Sequence, residues 1–288
     1  MKKIMIVFMS CVCSISYAQK AIKANTAPLD HATIKCYYLF SKTKKGAELP
    51  YRKDTMVLDI GEKMSRFYDP ARLDRDSIVA AKIKNLMGNP QDIKSVNVYQ
   101  NADARDLSNM PGTVSTNSDQ GESYQIYKDR LNNHIKIVDR ASAEGNDFLQ
   151  EDAIGKLPWQ IENGTDTLLG YACQKAKLSF RGRDYTAWFT ADIPINDGPW
   201  KFMGLPGLIL KVEDSMRLFS FSIIGLQQLS HPLPISINEK ATIKSTRAEF
   251  EKLKKKQGAG IQYNNTGGNV ILSSVPGVFE YIPMEIEE

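Results

Sequence analysis

Residues 198–214 read GPWKFMGLPGLILKVED and place an aliphatic run directly after a proline and a glycine. Pro206 fixes its φ at about −65°, and Gly207 accepts the positive φ that the next position of a type II turn requires. We therefore predict a type II turn over residues 205–208. The aliphatic run predicts a strand over residues 208–212 that enters the core. The glycines of this stretch are expected to serve backbone turns.

Two aromatic side chains precede that turn. Trp200 and Phe202 lie between the Gly198-Pro199 breaker and the turn. Burying one such ring stabilises a fold by roughly 1.5–3 kcal/mol, so both are expected to fold back over the sheet. Two interpretations stay open: a plug that seals one end of the sheet, or an aromatic mouth that contacts a ligand. A phosphate loop is excluded, because the G-x-x-x-x-G-K-[ST] order is absent and proline lacks an amide donor.

Short strands dominate the rest of the chain. In residues 183–190 the period of two places Tyr185, Ala187 and Phe189 on one face and Trp188 on the other. Gly182 is expected at the hairpin turn before this strand. The other predicted strands are 33–40, 55–60, 63–68, 96–99, 124–127, 134–138, 148–151, 158–161, 167–180, 208–212, 218–226, 270–273 and 278–282. The pattern predicts a mainly β fold, an antiparallel meander sheet curved into a half-barrel or partly closed barrel.

Two helices interrupt the strands. The first is predicted at about residues 75–87, with Asp74 or Asp76 as its cap. The second is predicted at about residues 247–257, after a capping box that begins at Thr246.

A polar stretch, residues 101–121, contains almost no large apolar residue. It predicts a long loop, either functional or a disordered insertion. The sequence shows no internal repeat and no domain boundary, so residues 19–288 are expected to form a single β-rich domain.

The first eighteen residues have the pattern of a secretory signal peptide. Lys2 and Lys3 precede an apolar region at residues 4–15, and small residues end the stretch at Ala18. We expect cleavage after Ala18 and a periplasmic or secreted protein. A lipoprotein anchored at Cys11 is the alternative. No later stretch approaches the roughly 20 apolar residues of a spanning helix.

The charge balance is nearly neutral. The formal net charge of +4 falls to +2 when Lys2 and Lys3 leave. This balance gives no indication of nucleic-acid binding. Cys36 and Cys173 remain after cleavage, and an oxidising compartment permits them to pair. Each is equally readable as a small buried apolar residue of a strand.

No catalytic motif is present, so no enzymatic activity, metal or cofactor is predicted. His31, His134 and His231 lack the spacing of a metal set, apart from His31 with Cys36 five residues later.

A hydrolase that uses acidic residues near the motif is kept as an alternative, with Asp184, Asp192 and Asp197 as its candidates. Arg181 and Arg183 are expected on one side of a hairpin tip. They either bind an anionic group or remain solvated.

Residues 204–209 read GLPGLI, and this hexapeptide resembles the motif that names the GLPGLI family of Bacteroidetes proteins. The resemblance is specific over residues 159–214, and it is fainter over residues 64–76 and in the second predicted helix. Its motif residues are Gly204, Leu205, Pro206, Gly207, Leu208 and Ile209. The resemblance implies a cell-envelope protein, and members are commonly found near TonB-dependent outer-membrane receptors. It implies no defined chemistry.

The leading hypothesis is a secreted envelope protein that binds and does not catalyse. Three kinds of ligand stay open: a lipid, a hydrophobic nutrient or a peptide of a partner protein. A lipid or other hydrophobic ligand would make the protein a carrier. The candidate ligand-binding residues are Trp188, Trp200, Phe202, Arg181 and Arg183. The alternative is an accessory partner of a TonB-dependent outer-membrane receptor.

Overall fold

The computed structural model of the protein describes residues 27–116, 120–140, 146–256, 260–275 and 282–286. The predicted signal peptide, the last residue of the second predicted helix and residues 278–281 of the last predicted strand lie outside this part. Ile282, which is described, is not in a strand.

The described residues form sixteen strands and two α-helices. The helices are α1 (Pro70–Met87) and α2 (Arg247–Lys256). The strands are β1 (Asp30–Lys42), β2 (Arg52–Ile60), β3 (Met64–Tyr68), β4 (Ser95–Tyr99), β5 (Val114–Ser115), β6 (Gln125–Asp129), β7 (His134–Arg140), β8 (Asp147–Asp152), β9 (Gln160–Leu168), β10 (Tyr171–Phe180), β11 (Arg183–Thr190), β12 (Leu208–Asp214), β13 (Phe219–Ile235), β14 (Thr242–Lys244), β15 (Ile261–Thr266) and β16 (Asn269–Ser274).

Twelve strands make one sheet in the order β14-β8-β7-β6-β3-β2-β1-β13-β12-β11-β10-β9. It consists of two antiparallel meanders, which meet where β13 pairs with β1. The edge strand β14 departs from the antiparallel prediction, because it lies parallel to β8. In the described part of the chain β14 and β9 do not pair with each other, so the sheet stays open. The predicted mainly β class and the half-barrel form are confirmed.

The larger of two hydrophobic clusters in the described part lies against the large sheet, and its strand residues come from β1, β2, β3, β6, β7 and β10 to β13. Phe40 stacks on Phe221 with ring centroids 4.3 Å apart, and Phe67 meets the Phe221 ring at 5.8 Å in an edge-on arrangement. The loop between β11 and β12, residues 191–207, also packs in this core and is called the motif loop below. The sheet therefore curves around a segment of its own chain.

The polar stretch at residues 101–121 was predicted to be a long loop, and the structure corrects this for the described part. The stretch contains a 3₁₀ helix at Asn101–Asp103 and the strand β5. It packs on a second sheet, of order β4-β16-β15-β5. Leu107 is buried, and its N–H donates to Gln262 Oε1 at 2.8 Å. Polar side chains of β15 therefore order a stretch that has few apolar residues of its own.

The first helix begins earlier than predicted. Asp69 caps α1 by accepting from the Arg72 N–H at 3.0 Å, and Pro70 occupies the first turn. The predicted cap Asp76 lies inside the helix, where it pairs with Arg72 at 2.8 Å. The capping box of α2 is confirmed, since the Glu249 N–H donates to Thr246 Oγ1 at 3.2 Å. Neither helix in the described part is long and apolar enough to cross a membrane.

The strand predicted over residues 167–180 is interrupted by a turn. Leu169 and Gly170 have φ values of 49° and 83° and connect β9 to β10. A leucine with positive φ is uncommon, which is why the sequence pattern concealed this turn. The hairpin turn predicted at Gly182 is confirmed between β10 and β11.

Candidate binding site

The hexapeptide at residues 204–209 owes its form to a close approach between backbones. Gly207 has a φ of 154°, and a Cβ there would lie 2.0 Å from the Thr190 carbonyl oxygen. The predicted type II turn is wrong, because the Leu208 N–H donates to Ile193 O at 2.9 Å. The Gly207 N–H instead donates to Leu205 O at 2.8 Å. The positive φ expected at Gly207 is confirmed, and it brings the motif loop against the end of β11.

The aliphatic run that follows is buried, as predicted. Leu208, Ile209 and Leu210 have no solvent exposure. A bulge in β12 leaves Leu210 without a partner residue on the neighbouring strand β11. The bulge allows three consecutive residues of β12 to be buried. The buried Tyr38 hydroxyl donates to Ile209 O at 2.7 Å and fixes the strand against β1.

The two aromatic rings of the motif loop fold inward, which confirms that expectation. Phe202 is fully buried, and its ring lies 4.8 Å from the Tyr185 ring. Trp200 lies 5.1 Å from Phe202 and is almost fully buried. Trp200 has a φ of 51°. A bulky residue in this region stores backbone strain, which clusters at functional sites.

A buried ion pair fixes the start of the motif loop. Lys128 and Asp197 pair without solvent exposure, and the Lys128 amine also donates to Gly198 O. Burial lowers the pKa of Lys128, and the neighbouring Asp197 only partly opposes this effect. Removing either partner would leave the other charge buried and unpaired, which is strongly destabilising. We assign this pair a structural role.

A cavity of about 100 Å³ lies beside Trp200. It is bounded by four cationic side chains, four carboxylates, one amide, one phenol and six apolar side chains. These residues are Lys42, Lys201, Arg247, Lys254, Glu122, Asp139, Glu251, Glu285, Gln150, Tyr124, Ile126, Ile137, Trp200, Phe250, Ile282 and Met284. The cavity is therefore amphipathic, and it is not the continuous apolar cavity that a lipid carrier requires.

The charged groups of the cavity are largely paired with one another. Glu122 pairs with Lys42 and with Arg52. Asp139 accepts from Lys254 at 3.2 Å and from the Ser123 hydroxyl at 2.6 Å. These pairs hold the polar rim in place and leave no large excess of one charge.

Tyr124 differs from the charged groups of the cavity. Its hydroxyl is buried and has no hydrogen-bond partner among the described residues. Burial raises the pKa of Tyr124 well above its usual range, so the phenol is protonated and able to donate. A buried polar group without a partner costs about 1–3 kcal/mol.

The segment at residues 282–286 forms one wall of the cavity through Ile282, Met284 and Glu285. Lys201 donates to both carboxylate oxygens of Glu285, at 2.8 and 2.7 Å. Arg181 donates to Glu285 at 2.6 Å and to both oxygens of Asp152 at 2.7 Å. Burial alone would raise the pKa of Asp152, but the bonds to Arg181 and Lys201 outweigh it and lower the pKa to about 2.

The two arginines of the hairpin are neither solvated nor open to a ligand. Arg181 binds the carboxylates of Asp152 and Glu285, and these partners raise its pKa above its usual value. Arg183 is buried and donates to Pro283 O at 2.8 Å. Neither anion binding nor solvation, the two interpretations of Arg181 and Arg183, anticipated their contact with residues 282–286. That segment lies far from the hairpin in the sequence.

Trp188 does not join Trp200 and Phe202. It faces away from Tyr185, Ala187 and Phe189, as the alternation predicted, and the Lys211 amine lies 4.6 Å from its ring centroid. Trp188 is partly buried against the core that contains Trp200 and Phe202, but it does not line the cavity beside Trp200. The period of two places it on the opposite face.

Cys36 and Cys173 are free thiols, so of the two alternatives the structure shows buried strand residues and not a disulfide. Both are buried, on β1 and β10, which several strands separate in the sheet. Burial raises the pKa of Cys36 to about 12, which makes this thiol a poor nucleophile.

The three aspartates of the hydrolase alternative do not form one site. Asp197 is buried against Lys128, whereas Asp184 and Asp192 are exposed. The Asp184 carboxylate accepts from the Ser179 hydroxyl at 2.5 Å. Within the described ranges no group of three or more His, Cys, Asp or Glu side chains could hold a metal ion.

Sequence reasoning missed most of the cavity. Tyr124, Lys201 and Glu285 were not singled out, since single polar residues in strands or loops carry no motif. The one local signal was Lys201, a charged residue between the two aromatics of the motif loop. A lysine there is expected to be buried only if it is paired.

A family profile described as a protein of unknown function, Porph_ging, matches residues 181–211. It is associated with Bacteroidetes. The matched residues include the hexapeptide and the whole motif loop. The match does not carry the GLPGLI name, so membership in a GLPGLI family is not confirmed.

Two solved structures of PNGF-II, in the P21 and C2 space groups, are similar to this chain in fold. Each has a TM-score of 0.47 and 12% sequence identity, and each alignment covers 78% of this chain and 33% of the other. The chain therefore spans about a third of the length of those chains. No curated protein matches the sequence.

Proposed function

We propose that this protein is an exported cell-envelope binding protein whose ligand site is the cavity beside Trp200. The observation that carries the proposal is the Tyr124 hydroxyl, which lines the cavity, is buried and has no hydrogen-bond partner in the part of the chain that the structure describes. Buried polar groups are nearly always hydrogen-bonded, so an unpaired one needs a reason. A ligand that accepts from this phenol supplies that reason. Export rests on the signal-peptide pattern of residues 1–18.

The cavity limits the kind of ligand. A volume of about 100 Å³ corresponds to roughly three water molecules in the liquid. An acyl chain does not fit unless a wall moves, so the cavity by itself favours a small group that is apolar on one side and polar on the other. Phe250 and Ile126 would contact the apolar side, and Tyr124 would bind the polar side.

Native mass spectrometry of the protein from a periplasmic extract tests this proposal. The wild type is expected to carry a bound mass, and Tyr124→Phe is expected to lower its occupancy about tenfold, the equivalent of one lost hydrogen bond. Tyr127→Phe is the matched control, because the Tyr127 hydroxyl donates to Gln125 outside the cavity. A wild-type protein without any bound mass, or equal occupancy in both variants, would contradict the proposal.

An accessory role beside a TonB-dependent outer-membrane receptor is the second candidate, and edge strand β4 favours it. Strand β4 is an edge of the second sheet, and its Val96 and Val98 are 55% and 56% exposed. An exposed edge strand can form hydrogen bonds with a strand of another chain. A pull-down from envelope extracts distinguishes the two functions. Receptor capture that is lost in a Val96→Lys, Val98→Lys double variant and kept in Tyr124→Phe would favour the accessory role.

A further inference from the structure

Residues 282–286 lie against the tip of the β10–β11 hairpin in the manner of a bound peptide. Three groups of the hairpin contact the main chain of this segment. Arg183 donates to Pro283 O at 2.8 Å, the Tyr185 hydroxyl donates to Met284 O at 2.9 Å, and Arg181 O accepts from the Ile286 N–H at 3.1 Å. Such contacts recognise an extended backbone, whichever chain provides it.

The Glu285 carboxylate balances the charge beneath the segment. Arg181 and Lys201 face two carboxylates, those of Asp152 and Glu285, and all four side chains are largely buried. Without Glu285, Arg181 and Lys201 would share the Asp152 carboxylate, and Arg247, which lies 3.7 Å from both Glu285 and Glu251, would keep only Glu251. A buried cation without a counter-charge destabilises the folded protein, so the emptied groove is expected to bind another anion.

The segment is also the removable wall of the cavity. It belongs to no strand, and Ile286 is 57% exposed. Among the described residues, its main chain makes three hydrogen bonds to the hairpin, and only the one from the Ile286 N–H to Arg181 O joins backbone to backbone. Lifting the segment would remove Ile282 and Met284 from the lining and open the space beside Trp200.

We propose that the groove formed by Arg181, Arg183, Tyr185 and Lys201 binds an extended peptide of a partner protein, with a glutamate between apolar residues. Residues 282–286 fill this groove until such a peptide replaces them. The inference rests on the proposed binding function, and it extends that function from a small group in the cavity to a peptide in the groove beside it. The buried cations of the groove need an anionic partner, and a glutamate provides one. The three hydrogen bonds to the main chain favour a peptide over a free fatty acid.

The test uses the full chain and a fluorescent, capped peptide with the sequence of residues 282–286. A second peptide has glutamine in place of the glutamate. Glu285→Gln weakens the internal segment, so this variant is expected to bind the glutamate peptide at least about tenfold more tightly than the wild type, because an internal competitor acts at millimolar effective concentration. The same variant is expected to bind the glutamine peptide at least about tenfold more weakly than the glutamate peptide.

Two further variants make the result decisive. Met284→Ala loosens the segment without changing a charge and is expected to improve peptide binding several-fold. Glu162→Gln is the matched control, since Glu162 pairs with Lys175 and Lys177 on β10 and makes no ion pair with the segment. This control is expected to bind like the wild type.

The outcomes separate the two proposals. If both peptides bind alike, or no variant binds either one, the groove proposal is overturned. Loss of the bound mass in Tyr124→Phe would then still uphold the cavity. A wild-type dimer that the glutamate peptide dissociates would identify a second copy as the occupant and overturn the partner version.

Discussion

Gly204 and Gly207 stand three positions apart in the hexapeptide, but their surroundings differ. A Cβ at Gly207 would lie 2.0 Å from the Thr190 carbonyl oxygen, whereas a Cβ at Gly204 would meet nothing within 4 Å. Both residues have positive φ, so an alanine is strained at either position. Only Gly207 adds a collision with backbone.

We expect Gly207→Ala to lower the free energy of unfolding by roughly 4 kcal/mol or more, or to prevent folding, because backbone cannot move aside as a side chain can. Gly204→Ala is the matched control and is expected to cost about 1–2 kcal/mol from its φ alone. Urea denaturation followed by circular dichroism measures both. Equal losses would show that the Thr190 contact is not what requires glycine.

A substitution at Tyr124 is expected to raise the stability of the protein, whereas those at Gly204 and Gly207 lower it. Removing the unpaired hydroxyl of Tyr124 relieves a desolvation cost, so Tyr124→Phe is expected to raise the free energy of unfolding of the unliganded protein by about 1 kcal/mol. Tyr127→Phe removes a hydroxyl that has a partner and is expected to lower it by about 0.5–1.5 kcal/mol. Thermal denaturation of ligand-free protein checks the pair. A loss of stability in Tyr124→Phe would indicate that this hydroxyl is already satisfied.

Asp69, the cap of helix α1, makes hydrogen bonds to two different parts of the chain. Asp69 accepts from the Arg72 N–H at 3.0 Å and, through its other oxygen, from the Glu122 N–H at 3.0 Å. The same carboxylate therefore begins the helix and fixes the segment that leads into β6. The cap of α2 at Thr246 is exposed and serves its own helix alone.

We expect Asp69→Ala to lower the free energy of unfolding by about 2 kcal/mol, because it removes a buried cap and a second hydrogen bond. Thr246→Ala is the control and is expected to cost about 0.5–1 kcal/mol. Guanidinium denaturation measures the difference. A smaller loss for Asp69 than for Thr246 would refute the double role of this cap.

The elements were predictable where the signal was local and were missed where it was not. The alternation in β11 correctly placed Tyr185 and Trp188 on opposite faces of the strand, Tyr185 buried and Trp188 half-buried. The turn at Leu169 was missed because leucine rarely has positive φ. The stretch at residues 101–121 resembled a loop, because its order depends on side chains of β15 that are remote in the sequence.

Across the protein, the Asp152 cluster joins β8, the hairpin and residues 282–286, and it makes stability depend on pH. The pKa of Asp152 is about 2 in the folded state, below its usual value of 3.8. The ionised carboxylate is favoured by folding, so its contribution is fully present above about pH 4 and is lost as the pH falls through about 2.

We therefore expect the free energy of unfolding to decline between pH 4 and pH 2, and the decline to be smaller in Asp152→Asn, which is already less stable at pH 7. Urea denaturation at pH 7, 4 and 2.5 measures this. Asp192→Asn, which removes an exposed carboxylate, serves as the control and is expected to keep the wild-type profile. A decline that is unchanged in Asp152→Asn would place the acid sensitivity elsewhere.

The sequence by itself determined the mainly β class, the capping box of α2, the burial of the motif aromatics and the positive φ of Gly207. Each follows from side-chain period, capping chemistry or allowed φ, which act over a few residues. Only the tertiary structure decided that β13 pairs with β1, that Cys36 and Cys173 stay apart, and that Lys201 and Glu285 meet beside Trp200. Those outcomes depend on contacts between distant parts of the chain, which local chemistry does not specify.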